Sequence, residues 1–389
     1  MREKKTTETK SLRILNLTEE GRWGGPQARI ALIADRLKSL GVETLVVAPL
    51  RDSGELHKRL RQLGIRHRLL KLHRLTKERS ILVRYFLFFL PEVARLVRLI
   101  NDEDIDIIHC NGCWQIKGVI AGWLAGKKIA WHLNDTQYAK MGQPIFSVMS
   151  RLADGFILAS ARTGECYLAN APQCRKKPGC EIPAPVDTNH FNPESVEPAA
   201  DIIAASNRIK VLTIGNIEPT KGIGHFVEMA RLLSNYGHLM DFFIAGSELN
   251  SYISYKNALD REIRQYGLDN IRFLGKRLDI ASVLKATDIY VCSSISESSP
   301  MAVWEAMSMA KPIVATDVGD VAKYIQEGTN GFIVPVGNPG ALAEKVRKLV
   351  ENPGLRSRFG VLARRVAVEK LDVQFAAQKH KSFYRLLLE

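Results

Sequence analysis

The feature that most restricts the fold is a strand–loop–helix pattern that occurs twice in the chain. Residues 12–17 form an apolar segment typical of a buried strand, followed by a glycine-containing loop and a helix that begins at Pro26. The pattern returns with an apolar segment at 210–214, a loop at 215–222 and a second helix. Strands that alternate with helices in this way predict parallel sheets.

Further short apolar segments follow each of these two starts. We predict strands at 44–48, 106–109, 128–132 and 155–159 in the first series, and at 241–245, 271–274, 289–292, 312–315 and 331–334 in the second. Three prolines within 183–193 and a polar stretch to residue 207 separate the two series. A chain of 389 residues is also too long for one ordinary core.

These observations predict an α/β protein with two doubly wound, Rossmann-like domains that face each other across a cleft. We place the first domain at 1–190 and the second at 191–365. Residues 366–389 have a helical pattern, and we expect this helix to pack back on the first domain. Ligands of such folds bind beyond the carboxyl ends of the strands.

The most specific segment has two glutamates, Glu297 and Glu305, on either side of a helix start. Ser298 or Ser299 can cap this helix, and Pro300 can be its first residue. The backbone N–H groups that follow would point out of the helix N-terminus, where a diphosphate can bind. The spacing alone fits equally well a capped core helix with an exposed glutamate at each end.

The segment resembles the signature of family 4 of the retaining glycosyltransferases, which have the GT-B fold. The two glutamates are separated by seven residues and followed by Ala-Met and then by Lys-Pro-Ile-Val-Ala. The resemblance extends from Leu12 to about Pro353. It implies that 1–190 binds the acceptor and 191–365 binds the nucleotide-sugar donor, and that Glu297 contacts the donor sugar while Glu305 contacts the ribose.

The resemblance also implies a set of site residues in both domains. The residues expected to act in catalysis are His132, Lys221 and Glu297, and those expected to bind the donor are Gly24, Gly25, Asn216, Lys221, Arg277, Ser299, Pro300, Met301, Ala302 and Glu305. The glycines would let the backbone approach the phosphates or the acceptor closely.

The loop at 215–222 departs from the family at one position. Lys221 lies where the family has a lysine that binds the diphosphate, but Asn216 stands where arginine is common. We expect Lys276 or Arg277 to supply the missing positive charge. The alternative for Lys221 is an ordinary solvated loop lysine.

In the first domain, His132 follows a predicted strand at the position where the family has a histidine beside the sugar. Its imidazole would hydrogen-bond the sugar or the acceptor. The alternative is a core histidine that is satisfied by a backbone carbonyl. His109 lies at the end of another strand and leaves the same two interpretations open.

We expect neither a cofactor nor a metal. The resemblance implies that lysine, arginine and a helix dipole neutralise the leaving diphosphate, and that the acceptor attacks on the face from which the phosphate leaves. His109, Cys110 and Cys113 have zinc-like spacing, but no second Cys-x-x-Cys pair follows. The six cysteines do not form a disulfide framework.

The positive charge is concentrated near the N-terminus. Residues 1–100 hold 22 Lys and Arg against 10 Asp and Glu, which is +12 of the net +14. Leucines and Ile65 are interspersed among the basic residues between Leu60 and Leu75, and a strongly apolar stretch follows at 81–89. This pattern favours contact with an anionic membrane, the alternative being core-facing helices with a solvated basic face. Binding to nucleic acid is not expected, because no recognition motif is present.

We therefore predict a cytoplasmic enzyme that can bind peripherally to the inner face of the cell membrane. It would transfer a hexose or N-acetylhexosamine from a UDP- or GDP-sugar to a glycan or lipid-linked acceptor in polysaccharide or glycolipid assembly. Two alternatives keep the fold: a non-catalytic partner subunit, suggested by Asn216, and a nucleotide-sugar epimerase. A basic nucleic-acid-binding protein is a third.

Overall fold

The computed structural model describes residues 11–75, 79–136, 142–169 and 171–389. The chain divides into two compact units. Unit 1 comprises the chain up to residue 159 with 163–182 and 374–389, and unit 2 comprises 160–162 and 183–373. The chain therefore passes into unit 2 after Ile182, whereas the predicted boundary is at 190. The C-terminal helix belongs to unit 1 from Gln374 onward.

The described residues form thirteen strands. They are β1 (Leu12–Thr18), β2 (Val42–Pro49), β3 (His67–Leu70), β4 (Ile107–Asn111), β5 (Lys128–Leu133), β6 (Gly155–Leu158), β7 (Gly179–Glu181), β8 (Ile209–Ile214), β9 (Met240–Ala245), β10 (Ile271–Gly275), β11 (Ile289–Cys292), β12 (Ile313–Thr316) and β13 (Gly331–Val334).

Sixteen α-helices connect and flank these strands in the described residues. They are α1 (Gly25–Ser39), α2 (Gly54–Gln62), α3 (Arg79–Leu87), α4 (Phe89–Asp102), α5 (Ile116–Leu124), α6 (Gln143–Met149), α7 (Ala161–Leu168), α8 (Ala200–Ile203), α9 (Ile223–Leu232), α10 (Ile253–Gln265), α11 (Ile280–Lys285), α12 (Met301–Ser308), α13 (Val321–Tyr324), α14 (Pro339–Glu351), α15 (Pro353–Val366) and α16 (Val373–Leu388).

Each unit is built on one parallel sheet, which confirms the predicted pair of doubly wound, Rossmann-like domains. The sheet of unit 1 has the order β3-β2-β1-β4-β5-β6-β7, and that of unit 2 the order β10-β9-β8-β11-β12-β13. The direction of winding reverses between β1 and β4 in unit 1 and between β8 and β11 in unit 2. Such reversal points are where α/β sheets bind ligands.

The central strands are buried on both faces, as parallel strands covered by helices must be. The β1 residues Ile14 and Leu15 and the β8 residues Val211 and Leu212 have no exposed surface. These strands consequently appear in the sequence as continuous apolar runs, and all of the predicted strands are present.

Two edge strands were missed, because neither is a continuous apolar run. In β3 the basic residues His67 and Arg68 precede two half-buried leucines, and β7 has only three residues. The presence of β3 also corrects the interpretation of the basic segment 51–84 as core-facing helices alone, because this segment contains α2, then β3, and then the start of α3. Leu60 and Ile65 of this segment are buried in the core.

No helix in the described part of the chain is long and apolar enough to cross a bilayer. The N-terminal residues 1–10, which contribute to the positive charge, lie outside the described residues.

Candidate functional site

In unit 2, the loops after β8 and β11 meet at the point where the strand order reverses. The Lys221 Nζ lies 2.7 Å from the Glu297 Oε1, and the Ser294 hydroxyl donates to the same carboxylate oxygen at 2.9 Å. Burial alone would lower the pKa of Lys221, but the Glu297 carboxylate outweighs it and raises this pKa. The predicted lysine and glutamate are therefore brought together.

Gly222 makes this meeting of loops possible. It has a left-handed φ of 62° and precedes α9. A Cβ at this position would lie 1.8 Å from the carbonyl oxygen of Ser293, so any side chain would push the two loops apart. The backbone N–H of Ile295 donates to the Thr220 carbonyl at 2.8 Å and joins the loops on the other side.

Helix α12 begins one residue later than predicted. Pro300 is the N-cap and Met301 the first helical residue, and no side chain caps the helix. The prediction that Ser298 or Ser299 caps it is thus wrong. The Ser299 hydroxyl instead accepts from the Ala184 N–H at 2.9 Å and donates to Asp320 at 3.1 Å. The first N–H groups of α12, which belong to Met301 and Ala302, are therefore left without a side-chain cap.

Glu305 is half-buried on the second turn of α12. Its carboxylate has no hydrogen-bond or ion-pair partner among the described residues, and burial raises its pKa to about 7. Burial raises the pKa of Tyr290 of β11, and the nearby Cys292, Glu297 and Glu305 raise it further. The two glutamates thus both lie near Tyr290, but only Glu297 is hydrogen-bonded to other described side chains.

Asn216 is exposed in the loop after β8. Arg277, which was expected to compensate for it, is held by two carboxylates: it donates to Asp201 at 2.6 Å and to Asp279 at 2.6 Å. These carboxylates raise the pKa of Arg277, which stays protonated, and their negative charges offset its positive charge. Lys276 is exposed and has no ion-pair partner within the described ranges.

In unit 1, Gly24 and Gly25 lie at the start of α1, directly after the loop that follows β1. Gly24 is the N-cap with extended backbone, and its carbonyl accepts from the Ala28 N–H at 2.9 Å. Gly24 is half-buried and Gly25 exposed. The helix N-terminus is therefore open to solvent, at the edge formed by the strand carboxyl ends.

His132 lies at the end of β5 and is completely buried. Its Nε2 lies 2.6 Å from the Arg29 guanidinium, and its Nδ1 lies 3.2 Å from the Nε2 of His109. The same guanidinium donates to Asn134 and to Asn111, both at 2.7 Å. Both ring nitrogens of His132 are thus already hydrogen-bonded within unit 1.

The direction of these hydrogen bonds fixes the histidine tautomers. Arginine can only donate, so the Nε2 of His132 accepts and its Nδ1 carries the proton. This proton is donated to the His109 Nε2, so the His109 Nδ1–H donates to the Tyr384 hydroxyl at 2.6 Å. Burial lowers the pKa of both histidines well below the usual value and keeps them neutral.

His380 completes a cluster of three buried histidines with His109 and His132, whose nitrogens lie within 4.8 Å of one another. It is the one group of this kind in the part of the chain that the structure describes. The His380 Nδ1 donates to the Ala376 carbonyl at 2.7 Å, and burial lowers the pKa of His380 to about 4. Only its Nε2 is left for a metal, and the Arg29 cation lies beside the cluster, so hydrogen bonding accounts for the arrangement better than metal binding.

Asp-x-Asp spacings, which often bind metals, occur at 102–106. They precede β4 and lie at the amino end of the sheet. The Asp106 carboxylate accepts from the Arg13 N–H at 2.8 Å, and Asp104 accepts from the Arg13 side chain at 3.3 Å. This segment therefore has a structural role, away from the strand carboxyl ends.

Sequence reasoning missed Arg29, His380 and Tyr384. The sequence signal for Arg29 was available, because it is a charged residue on the apolar face of α1, four residues before Ile33. No comparable signal marked Tyr384, which is separated from its partner His109 by 275 positions. Cys110 and Cys113, which have zinc-like spacing, are free and buried.

Helices α3 and α4 expose an unusual number of large apolar side chains. Val83 is 57% exposed, Phe86 67%, Leu87 69% and Leu90 76%. On α3, Phe86 and Leu87 follow Val83 by three and four residues, which is typical of one helix face. Leu90 follows in the first turn of α4. We call these four exposed side chains the apolar face of α3 and α4. Three of them belong to the apolar stretch at 81–89.

Two family descriptions match the chain and together cover most of it. "Glycosyltransferase Family 4" matches residues 23–190, and "Glycosyl transferases group 1" matches residues 199–366. An alpha-D-kanosaminyltransferase of Streptomyces kanamyceticus is 29% identical over 180 residues, which are 45% of this chain and 45% of that protein. The chain matches about half the length of the first curated relatives.

Longer matches have lower identity. A phosphatidyl-myo-inositol mannosyltransferase of Mycobacterium leprae is 24% identical over 381 residues, which cover 93% of this chain and 92% of that protein. The crystal structure of Anabaena Alr3699/HepE in complex with UDP-glucose has a TM-score of 0.81 and 21% identity, and covers 95% of this chain and 98% of that one. At this identity the structural likeness bears on the fold alone.

Proposed function

The chain belongs to the family 4 glycosyltransferases, and we propose that it transfers a hexose or N-acetylhexosamine from a UDP- or GDP-sugar to a glycan or lipid-linked acceptor. We propose further that the transfer retains the configuration of the sugar and needs no metal. The observation that carries this proposal is the Lys221–Glu297 pair at the strand reversal of unit 2, beside the uncapped N-terminus of α12. A similar fold has been crystallised with UDP-glucose, which supports a nucleotide-sugar donor.

In this proposal unit 2 binds the donor. The N–H groups at the start of α12 and the Lys221 ammonium stabilise the diphosphate, whose negative charge increases as the bond to the sugar breaks. Glu297 accepts hydrogen bonds from the sugar hydroxyls, and Lys221 and Ser294 hold its carboxylate in place. Glu305 has no hydrogen-bond or ion-pair partner among the described residues, so the ribose diol can supply one.

His132 acts in this proposal as a positioning residue. Both of its ring nitrogens are occupied, so a direct contact with the sugar would require one of these hydrogen bonds to break. Through Arg29 it fixes Asn134, which is half-buried in the loop after β5 and has the polar amide needed to contact a sugar. In this way His132 can contribute to sugar binding although its own ring is buried.

The first test is a panel of UDP- and GDP-sugars measured by thermal stabilisation of the full chain. A ligand that binds only the folded state adds about 2.7 kcal/mol at one hundred times its Kd. We expect one nucleotide class to stabilise the wild type, and the Glu305→Ala variant to lose most of this stabilisation. If no nucleotide sugar raises the Tm, the donor assignment is wrong.

A second test uses the donor that binds. We expect the purified chain to hydrolyse or transfer it, with turnover strongly reduced in Glu297→Ala and unchanged by excess EDTA. Binding without turnover by the chain alone would indicate a non-catalytic partner subunit. Conversion of the donor to its epimer without an acceptor would indicate an epimerase, and loss of activity in EDTA that manganese restores would exclude the metal-independent mechanism.

A further inference from the structure

A cavity of about 310 Å³ in unit 1 opens at the carboxyl ends of β1, β2 and β3. This volume lies at the lower end of the range for small-molecule sites. The residues that line the cavity follow directly on the three strands: Glu19 and Glu20 after β1, Arg51 and Asp52 after β2, and 71–74 after β3. Ile81 and Arg84 of α3 close one side.

Most of the charges around the cavity are paired. The Arg74 guanidinium forms an ion pair with Glu20, and the Arg51 Nε lies 3.5 Å from the Asp52 carboxylate. Each pair brings one positive and one negative charge, so neither gives the cavity a net charge.

The charges of the remaining groups that line the cavity, Glu19, Lys71 and Arg84, do not sum to zero. Burial, reinforced by the nearby Asp135 carboxylate, raises the pKa of Glu19 well above its ordinary value and favours the neutral acid. Lys71 and Arg84 also line the cavity and are exposed. Neither has an ion-pair partner among the residues that the structure describes. Among the described residues, the cavity therefore has two positive charges without matching negative ones.

The loop that carries Lys71 is fixed by contacts with α4 and α5. The buried Glu92 carboxylate accepts from the backbone N–H of His73 at 3.1 Å and lies 2.5 Å from the His73 Nδ1. The same carboxylate pairs with the buried Lys117. The His73 ring also stacks on Phe88 at a centroid distance of 5.2 Å. The loop after β3 is thus fixed to α4 and α5, so the position of Lys71 does not depend on a ligand.

We propose that this cavity binds the acceptor through a phosphate group, which Lys71 and Arg84 hold. The inference rests on the proposed transferase function and names an acceptor class that the proposed function leaves open. A phosphate monoester carries about −1.5 to −2 charges at neutral pH, which two cations match, and a guanidinium fits its oxygens in a bidentate manner. The phosphate belongs either to a soluble sugar or polyol, as a monoester, or to a lipid headgroup, as a diester with a single negative charge.

Calorimetric titration of the full chain with glycerol phosphate tests the site, with glycerol as the uncharged control. We expect glycerol phosphate to bind and glycerol not to bind. The double variant Lys71→Ser/Arg84→Ser should lose at least about tenfold in affinity, since charge-assisted hydrogen bonds are lost. The matched variant Lys58→Ser/Arg61→Ser, which removes the same charge from exposed positions of α2 outside the cavity, should bind as the wild type does.

A third variant separates this site from the donor site. Lys221→Met should keep glycerol phosphate binding and lose affinity for the nucleotide sugar, whereas Lys71→Ser/Arg84→Ser should show the reverse. Failure of every nucleotide sugar to bind would count against the proposed function alone. Equal glycerol phosphate affinity in the wild type and in Lys71→Ser/Arg84→Ser, or its loss in Lys221→Met, would overturn the inference.

Competition identifies the source of the phosphate. Vesicles of phosphatidylglycerol that displace glycerol phosphate from the wild type would support a lipid headgroup. Vesicles of phosphatidylcholine, which has no net charge, serve as the control. Glycerol phosphate binding that these vesicles leave unchanged would support a soluble phosphorylated acceptor.

Discussion

At the scale of single residues, the proposed donor site contains two glutamates whose surroundings give them different chemistry. Glu297 is held by Lys221 and Ser294, whereas Glu305 is half-buried without a partner among the described residues and burial raises its pKa to about 7. Pairs of carboxyl groups whose environments differ in this way usually have different roles. Glu297 is fixed before the donor arrives, and the ionisation of Glu305 depends on what binds to it.

We therefore expect donor affinity to depend on pH through Glu305. Only the ionised carboxylate accepts from both ribose hydroxyls, so affinity should rise between about pH 6 and about pH 8 as the group titrates. The folded-state pKa lies above the ordinary value, so Glu305 lowers the free energy of unfolding as pH rises from about 4.5 to about 7. Calorimetry on wild type and Glu305→Gln measures both effects, and an equal pH dependence of donor affinity in the two proteins would contradict the first.

The missing cation at Asn216 leads to a second prediction at this scale. The positive charge of Arg277 is offset by the carboxylates of Asp201 and Asp279. Lys276, in contrast, is exposed and has no ion-pair partner in the described ranges. We expect Lys276→Met to weaken nucleotide-sugar binding about three- to tenfold, because it removes a positive charge near the diphosphate. Arg277→Met should leave this affinity unchanged and lower the free energy of unfolding by about 1 kcal/mol or less, as exposed ion pairs do. The opposite result would return the role to Arg277.

At the scale of elements, the proposed donor site depends on two loops that approach each other closely. The loop after β8 contacts the loop after β11 through Gly222, which leaves no room for a Cβ. Strand ends fix the positions of both loops, and the ion pair between Lys221 and Glu297 forms across this contact. A change at Gly222 should thus affect binding even though its own atoms carry no charge.

Gly222→Ala tests this dependence, and Gly267→Ala is its matched control. The two glycines have left-handed φ values of 62° and 60°, but no atom lies near the Cβ position of Gly267. Both variants should lose about 1–2 kcal/mol of unfolding free energy from backbone strain. Only Gly222→Ala should lose more than this and also lose donor affinity. Denaturant unfolding and donor titration measure the two effects, and equal behaviour of the variants would show that the loop contact is unimportant.

The strands that the sequence predicted are mainly those that are buried on both faces. Central strands such as β4 and β11 are covered on both faces, so burial alone dictates an apolar run. The edge strands β3 and β7 are half-exposed, and their residues follow no such rule.

The same contrast holds for the candidate site. Lys221 and Glu297 were found through a family motif that is local in sequence. The chain of hydrogen bonds from Arg29 through His132 and His109 to Tyr384 joins four separate elements. Only the packed fold brings these residues together, so no local pattern could predict it.

At the scale of the whole molecule, the basic segment and the apolar face of α3 and α4 both belong to unit 1. Several of the basic residues are neutralised locally: Arg59 pairs with Glu55, and Arg66 and Arg68 pair with Glu103. Surface charge alone is therefore a weaker argument for membrane contact than the sequence indicated. The exposed apolar face is the stronger one, because single exposed leucines are ordinary but a face of four large side chains is not.

We accordingly expect the full chain to bind vesicles of phosphatidylglycerol mainly through this face. Replacing Phe86, Leu87 and Leu90 by serine should reduce vesicle binding at least about tenfold, since burying one such side chain contributes about 1.5–3 kcal/mol. The control variant replaces Ile253, Leu278 and Val361 of unit 2 by serine; these are 48%, 62% and 58% exposed. Co-sedimentation measures the binding.

Salt separates the two contributions to this binding. Electrostatic attraction to the anionic surface is screened within about 8 Å at physiological ionic strength, whereas apolar insertion is not. Binding of the wild type should therefore fall as salt rises and then level off, and binding of the Phe86/Leu87/Leu90 variant should fall to zero. A wild-type chain that stays in the supernatant at low salt, or a variant that sediments as the wild type does, would show that the apolar face does not contact lipid. The exposed side chains would then have to be covered by a protein or glycan instead.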